Sequence, residues 1–142
     1  MASTIATLRN YIYSQLQTLT KANKVYNYQP SKIEGYPTIV LLYEGMPEAI
    51  ILNRFENTRI ISFAVRVEQE IDGIGHGAES GENVFIDLID EILTLFDNDT
   101  TLGGNAIKCS AITGESGYAE HQNNLRVAKI NLQCLTLVSA SA

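Results

Sequence analysis

The stretch TRIISFAVRVEQE, from Thr58 to Glu70, decides how the rest of the chain can fold. Its apolar side chains occupy every second position from Ile61 to Val67, and polar or small residues fill the positions between them. Successive side chains of a β-strand point to opposite faces, so a period of two predicts a strand with one face in a core. The other face of this strand is expected to be exposed to solvent or covered by another part of the chain.

The segment from Ser80 to Phe96, downstream of this strand, has a helical period. Its apolar residues form a wide stripe with acidic residues outside it, and the stripe consists of Val84, Phe85, Leu88, Ile89, Ile92, Leu95 and Phe96. Acidic residues in the first turns suit the positive end of the helix dipole. Asp97-Asn98-Asp99, followed by Gly103-Gly104, predicts where the helix ends.

Upstream of the strand, a first helix and two further strands are predicted. Apolar residues spaced by three and four from Ile5 to Leu19 indicate the helix, and Val25 to Pro30 is expected to be extended. The β-branched run from Thr38 to Tyr43 predicts a strand that is buried on both faces. Gly45-Met46-Pro47 predicts a turn, after which Ile50 to Leu52 forms a short strand.

The C-terminal part is expected to form two strands, from Ala106 to Ile112 and from Leu125 to Val138. The polar stretch from Thr113 to Asn124 is expected to join them as a long loop. The last strand becomes apolar on its second face at Leu135 and Leu137.

The chain, residues 1–142, is therefore expected to be a single α+β domain in which residues 138–142 fray. We predict a mixed, mostly antiparallel sheet of about five strands with two helices packed on it. The order is helix, three strands, helix, two strands.

The amino-acid composition limits the classes of partner that the protein can bind. The net charge of -6 opposes the long-range attraction that a sequence-independent nucleic-acid binder needs. No apolar run is as long as a bilayer span, and the first residues do not resemble a signal peptide. We therefore expect a protein made and kept in a cytoplasm, without a membrane partner.

The sequence contains no recognisable catalytic, metal or cofactor motif, so we predict that the chain is not an enzyme. Cys109 and Cys134 are far apart in sequence and are expected to be two small buried side chains without a disulfide or metal. An alternative of another class is a small cysteine hydrolase, in which Cys109 would need His76 or His121 within hydrogen-bond reach. A module with a closed apolar pocket for a small ligand is a third possibility.

Several local sequences, taken in order, resemble one family. They are VYNY from Val25 to Tyr28, GYPTIV from Gly35 to Val40, the alternating strand, the helix from Ser80 to Phe96, and DTTLGG from Asp99 to Gly104. In this order they resemble the small tail-terminator, or tail-completion, proteins of long-tailed bacteriophages, over nearly the whole chain.

The resemblance implies a subunit of a homohexameric ring in the virion tail, assembled in the host cytoplasm. Such a ring caps the tail-tube protein, ends tube polymerisation and offers a docking surface to the head connector protein, while DNA passes through its pore. The acidic balance suits that role, because a wall of like charge lets DNA slide without sticking. A head-closure or connector protein and a tail-tube subunit are the alternatives within the same class.

A closed ring requires each subunit to present two different complementary surfaces. We expect the glycine-bearing segments Ile71 to Ala78 and Thr113 to Asn124 to be partly mobile in the free subunit and to become ordered against a neighbour. The predicted interface residues are Ile71, Asp72, Ile74, His76, Tyr118, Glu120 and His121. Tyr11, Tyr13 and Tyr118 are candidate interface aromatics, with the edge of the core as the alternative position.

Overall fold

The computed structural model describes residues 4–32, 35–51, 56–70, 78–119 and 122–139. Within them it contains helices α1 (Thr4–Leu16) and α2 (Ala78–Asp97), and strands β1 (Lys24–Tyr26), β2 (Thr38–Ile51), β3 (Glu56–Glu70), β4 (Lys108–Ala119) and β5 (Gln122–Ser139). A short 3-10 turn, Leu102–Gly104, lies between α2 and β4. This order of helix, three strands, helix and two strands confirms the predicted α+β fold.

The five strands form one sheet in the order β1-β2-β3-β5-β4. The short β1 pairs in parallel with β2, and every other pair is antiparallel, so the sheet is mixed and mostly antiparallel as predicted. Strand β3 is central and pairs with β5 over its whole length, from Glu56 opposite Ser139 to Glu70 opposite Leu125.

One face of the sheet carries the core. The alternating residues of β3 from Ile61 to Val67 are buried there, as their period of two predicts. Both helices pack on this face and contribute one apolar stripe each, namely Leu8, Ile12 and Leu16 from α1, and Phe85, Leu88, Ile92 and Phe96 from α2. The two amphipathic helices therefore share a single layer.

Strand β2 is one continuous strand, so the predicted turn at Gly45-Met46-Pro47 is wrong. From Tyr43 to Glu48 it advances five residues while β3 advances three, from Phe63 to Ile60, which places β-bulges inside the strand. Gly45 has a φ of 112°, a conformation that glycine adopts at little cost, and the chain takes up the extra residues without leaving the ladder. The third strand before α2 is β1, which the sequence predicts only as an extended segment.

The predicted long loop from Thr113 to Asn124 is also wrong in most of its length. Strand β4 continues to Ala119 and β5 begins at Gln122. Between Thr113 and Ser116 β4 advances three residues while β5 advances two, so one residue is absorbed in a bulge. Polar residues can continue the strands because backbone pairing does not require an apolar side chain. Strand β5 also includes Ser139, which the sequence assigns to the frayed tail.

The predicted burial of the run from Thr38 to Tyr43 holds for its first part. Residues 38–41 are buried, although their side chains alternate between the two faces. Tyr43, at the other end of the run, keeps 43% of its surface exposed and packs edge-on against Phe63. Because Tyr43 is the register partner of Phe63, it lies on the core face, and the helix layer leaves this face partly open where the bulges of β2 begin.

Asp99 connects α1 to the segment between α2 and β4. One oxygen of its carboxylate accepts a hydrogen bond from the Tyr11 hydroxyl, and the other accepts one from the backbone N–H of Gly103 at 3.0 Å. Leu102, the residue before Gly103, is fully buried, and its backbone has a φ of 49°. Gly103 has a φ of 66°, and a β-carbon there would lie 2.8 Å from Cε2 of Tyr11. Glycine is therefore required at this position.

We expect Gly103→Ala to destabilise the protein more than Gly104→Ala. Both residues have positive φ, which costs an alanine roughly 1–2 kcal/mol. Only Gly103 faces the Tyr11 ring, and this overlap adds about 1–3 kcal/mol. Urea denaturation of both variants measures the difference. Equal losses in the free energy of unfolding would contradict the packing of Tyr11 on Gly103.

The hydrogen bond to Asp99 raises the pKa of Tyr11 above the ordinary 10.0, and burial and the negative charge of Asp99 act in the same direction. A raised pKa in the folded state stabilises the fold below pH 10.0, and this contribution is lost as the pH rises through the folded-state value. Unfolding midpoints in urea should therefore fall more steeply above that pH for the wild type than for Tyr11→Phe. Parallel curves would show that the phenol proton makes no such contribution.

Candidate assembly surfaces

The sheet is longer than the helix layer that covers it. Strand β5 has 18 residues and α2 has 20. With rises of about 3.3 Å and 1.5 Å per residue, their lengths are about 59 Å and 30 Å. Helix α2 therefore cannot cover both ends of the sheet, and the two ends are candidate surfaces for assembly.

The first end, which we call the sheet tip, consists of Ala49–Ile51 in β2, residues 56–60 in β3 and Leu135–Ser139 in β5. Ile61 in β3 and Thr136 in β5 are buried, and Ile60 and Leu135, which are register partners, are half-buried. Beyond them the tip contains Ile50 and Ile51 in β2 and Leu137 and Val138 in β5, with the polar residues 56–59 of β3 between them in the register. The tip is thus rich in apolar residues on β2 and β5.

The second end, which we call the arm end, consists of residues 69–70 in β3, 117–119 in β4 and 122–126 in β5. One row of the sheet there contains Gln69, Arg126 and Tyr118. Nε of Arg126 lies 3.0 Å from a carboxylate oxygen of Glu82, and its guanidinium carbon lies 4.9 Å from the centre of the Phe85 ring. Arg126 therefore anchors the beginning of α2 to this end.

Gln69 is fully buried beside this anchor. Neither polar atom of its side-chain amide has a hydrogen-bond partner among the residues that the structure describes. Burying an amide without a hydrogen-bond partner costs about 1–3 kcal/mol of folding free energy. The arm end therefore contains a polar side chain in its interior.

Most of the predicted interface residues lie outside the described parts of the chain, namely Ile71, Asp72, Ile74, His76, Glu120 and His121. Tyr118 lies in β4 and pairs with Arg126. Strand β3 ends at Glu70 opposite Leu125, one residue from the row that contains Tyr118 and Arg126. The interface role of the predicted residues stays a prediction.

Two of the three candidate interface tyrosines pack against the core. Tyr11 and Tyr13 are partly buried against the cluster that α1 forms with the sheet, and Tyr11 also donates its hydroxyl to Asp99. The alternative position at the edge of the core therefore describes both residues better than an interface.

The sheet face opposite the helices carries a polar network. Nε of Arg66 lies 2.8 Å from Glu68, and its terminal nitrogen donates to the side-chain oxygen of Gln29 at 2.6 Å. Lys129 forms an ion pair with Glu44 on the neighbouring region of the sheet. The segment after β1 thus covers part of this face, and Glu68 keeps only 8% of its surface exposed.

The acidic face of α2 borders a groove of about 500 Å³ between this helix and the connection from α1 to β1. Lys21 lies 3.7 Å from Asp87 and 3.3 Å from Glu91 across the groove, and the hydrogen bond to Glu91 raises the pKa of Lys21. Asp87 and Asp90 are exposed, as a solvated helix face predicts. Residues 4–32, 35–51, 56–70, 78–119 and 122–139 contain no group of three metal-ligating side chains placed to hold an ion.

The two cysteines, which the sequence separates, are neighbours in the fold. Cys109 and Cys134 are register partners in β4 and β5, and their sulfurs are 3.3 Å apart in the buried core. The Cys134 thiol donates to the Cys109 sulfur, and this hydrogen bond lowers the pKa of Cys109 and raises that of Cys134. Sequence spacing alone gave no sign of this pair.

Comparisons with known proteins identify the fold. No protein-family model matches the sequence. No curated protein matches it either. Among solved structures, a chain in the virion of the native gene transfer agent (GTA) particle is similar, with a TM-score of 0.63 and 11% sequence identity. The match covers 99% of this chain and 100% of that chain, so the two share a fold over their whole lengths. In the described part of the chain, no helix combines the length and the apolar character needed to cross a membrane.

Proposed function

We propose that this protein is a structural subunit of a bacteriophage-like virion, which works by assembling with other proteins and not by catalysis. The observation that carries the proposal is the full-length fold match to a chain of the gene transfer agent virion. Two subunits with the same architecture would be expected to match over the full length of both chains. The finer role comes from the residues that resemble tail terminators.

Within that class we propose a tail terminator, which forms a homohexameric ring in the virion tail. Its partners are copies of itself, the tail-tube protein and the head connector protein, and DNA passes through the pore. The order of VYNY, GYPTIV and DTTLGG supports this role, as does the net charge of -6, because a subunit of the same charge sign as DNA does not hold it tightly. A tail-tube subunit and a head-closure protein are the alternatives that the experiment below separates.

The two ends of the sheet supply the two surfaces that a ring requires. The sheet tip is rich in apolar residues, whereas the arm end contains a charged and amide-bearing row at Gln69 and Arg126. Because the ends differ, contact between the end of one subunit and another part of its neighbour is heterologous, and such contacts close into rings when the rotation permits.

The contacts of the described polar side chains support a role without catalysis. The thiol of Cys109 bonds to another thiol, and Asp87 and Glu91 pair with Lys21. His76 and His121, which the alternative of a cysteine hydrolase requires, lie outside the described residues. Hydrolysis of model esters that is lost in Cys109→Ser would favour that alternative.

Assembly with tube protein tests the proposed role directly. We expect the purified chain to form rings with a central hole, seen by electron microscopy, alone or on tube ends. Added to polymerising tail-tube protein, it should stop growth and shorten the tubes in proportion to its concentration. Tubes that incorporate it and keep growing would indicate a tube subunit, and binding only to connector protein would indicate head closure. A monomer that leaves tube length unchanged would contradict the proposal.

The sheet tip can be tested with a matched pair of variants. Ile60→Arg places a charge at the tip, while Ile86→Arg places the same charge on α2 at an isoleucine that is 47% exposed. We expect Ile60→Arg to weaken ring formation or tube capping by about tenfold or more, because burying an unpaired charge in an interface is costly. Ile86→Arg should leave assembly unchanged. Circular dichroism and urea unfolding confirm that both variants fold, and equal assembly by both would exclude the tip as an interface.

A further inference from the structure

The Cys109–Cys134 pair has the geometry of a disulfide site. The backbone N–H of Cys109 donates to the carbonyl of Thr100, on the outer side of the edge strand β4. A residue of an antiparallel strand directs its N–H and C=O to the same side, so Cys109 forms no backbone hydrogen bonds with β5. Side chains are closest at such non-hydrogen-bonded positions, with Cα atoms about 4.5 Å apart, a separation that a disulfide bridges.

The two sulfurs are 3.3 Å apart and are joined by a hydrogen bond between the thiols. Cys109 keeps 2% of its surface exposed and Cys134 none, so only a small reagent can reach them without unfolding. The strand that carries Cys109 lies at the edge of the sheet, where local opening costs least. Cys109 is therefore the thiol that meets a reagent first.

We propose that Cys109 and Cys134 are an oxidation site, at which a peroxide converts the two thiols into a disulfide that fastens the edge strand β4 to β5. The Cys109 sulfur attacks one peroxide oxygen, the O–O bond breaks, and Cys109 becomes a sulfenic acid while the other oxygen leaves as water. The Cys134 sulfur then attacks the Cys109 sulfur, the S–O bond breaks, and a second water leaves. The thiols lose two electrons and two protons, and one hydrogen peroxide becomes two water molecules.

Position in the sheet assigns the order of reaction of the two thiols. Cys109 lies on the edge strand and is the sulfur that a reagent meets first, and the Cys134 sulfur, 3.3 Å away, resolves the sulfenic acid. The proposed virion role supplies the setting, since a subunit assembled in a reducing cytoplasm meets oxidants after the particle is released. The chemistry itself does not depend on that role.

Oxidation of the reduced, full-length protein with hydrogen peroxide tests this site. We expect intact mass spectrometry to show a loss of about 2 Da and peptide mapping to link the peptides of Cys109 and Cys134. The melting temperature should rise by an amount on the order of 10 °C and return when a reductant is added. Stable addition of oxygen to either cysteine, disulfide-linked dimers, or thiols that react only in denaturant would overturn the proposal.

Cys134→Ser provides the matched control because it keeps Cys109 and a donor group beside it. In this variant dimedone should capture a sulfenic acid on Cys109, and peroxide should neither remove mass nor raise the melting temperature. Cys109→Ser should be much less reactive, and equal labelling of Cys134 in that variant would contradict the assigned order. The experiment uses the isolated chain, so its failure and the failure of tube capping are separate results.

Discussion

Pairing between β3 and β5 is the constraint on which the rest of the structure depends. The two strands run opposite each other from Glu56 and Ser139 to Glu70 and Leu125 without a shift in register. A slip of one residue would exchange the two faces of a strand, so this uninterrupted ladder fixes which residues enter the core. The helices can then pack on one face only. Bulges occur in β2 and β4, where they do not disturb the central register.

The elements that the sequence predicts correctly are those whose own period identifies them. The strand from Thr58 to Glu70 buries the residues that alternation assigns to the core. The helix around Ser80 to Phe96 buries four residues of its predicted stripe and half-buries the other three, Val84, Ile89 and Leu95. The predictions are wrong where the local composition is compatible with two different structures. Gly45-Met46-Pro47 suits a turn and a bulge equally well, and the polar run after Thr113 suits a loop and an edge-strand arm. Only pairing with β3 and β5 distinguishes them, and pairing is a long-range property.

The same limit applies to the functional sites. The Cys109–Cys134 contact depends on the register of a hairpin whose turn position the sequence does not identify. DTTLGG, part of the resemblance to tail terminators, has a clear structural role, because Asp99, Leu102 and Gly103 fasten α1 to the segment before β4. These residues therefore stabilise the fold. The predicted interface residues lie in segments whose sequence has no helical or strand period, so the sequence alone does not restrict their position.

The bulged region of β2 also affects how the free protein behaves at high concentration. Strand β1 pairs only with Thr38, Ile39 and Val40, so no described strand borders the outer side of β2 beyond them. A long, regular edge would recruit strands from other molecules and lead to aggregation. Here Pro47 offers no N–H to an incoming strand, and the irregular backbone from Tyr43 to Glu48 breaks the row of donors and acceptors. The outer side of β2 is thereby a poor template for strand pairing with other molecules.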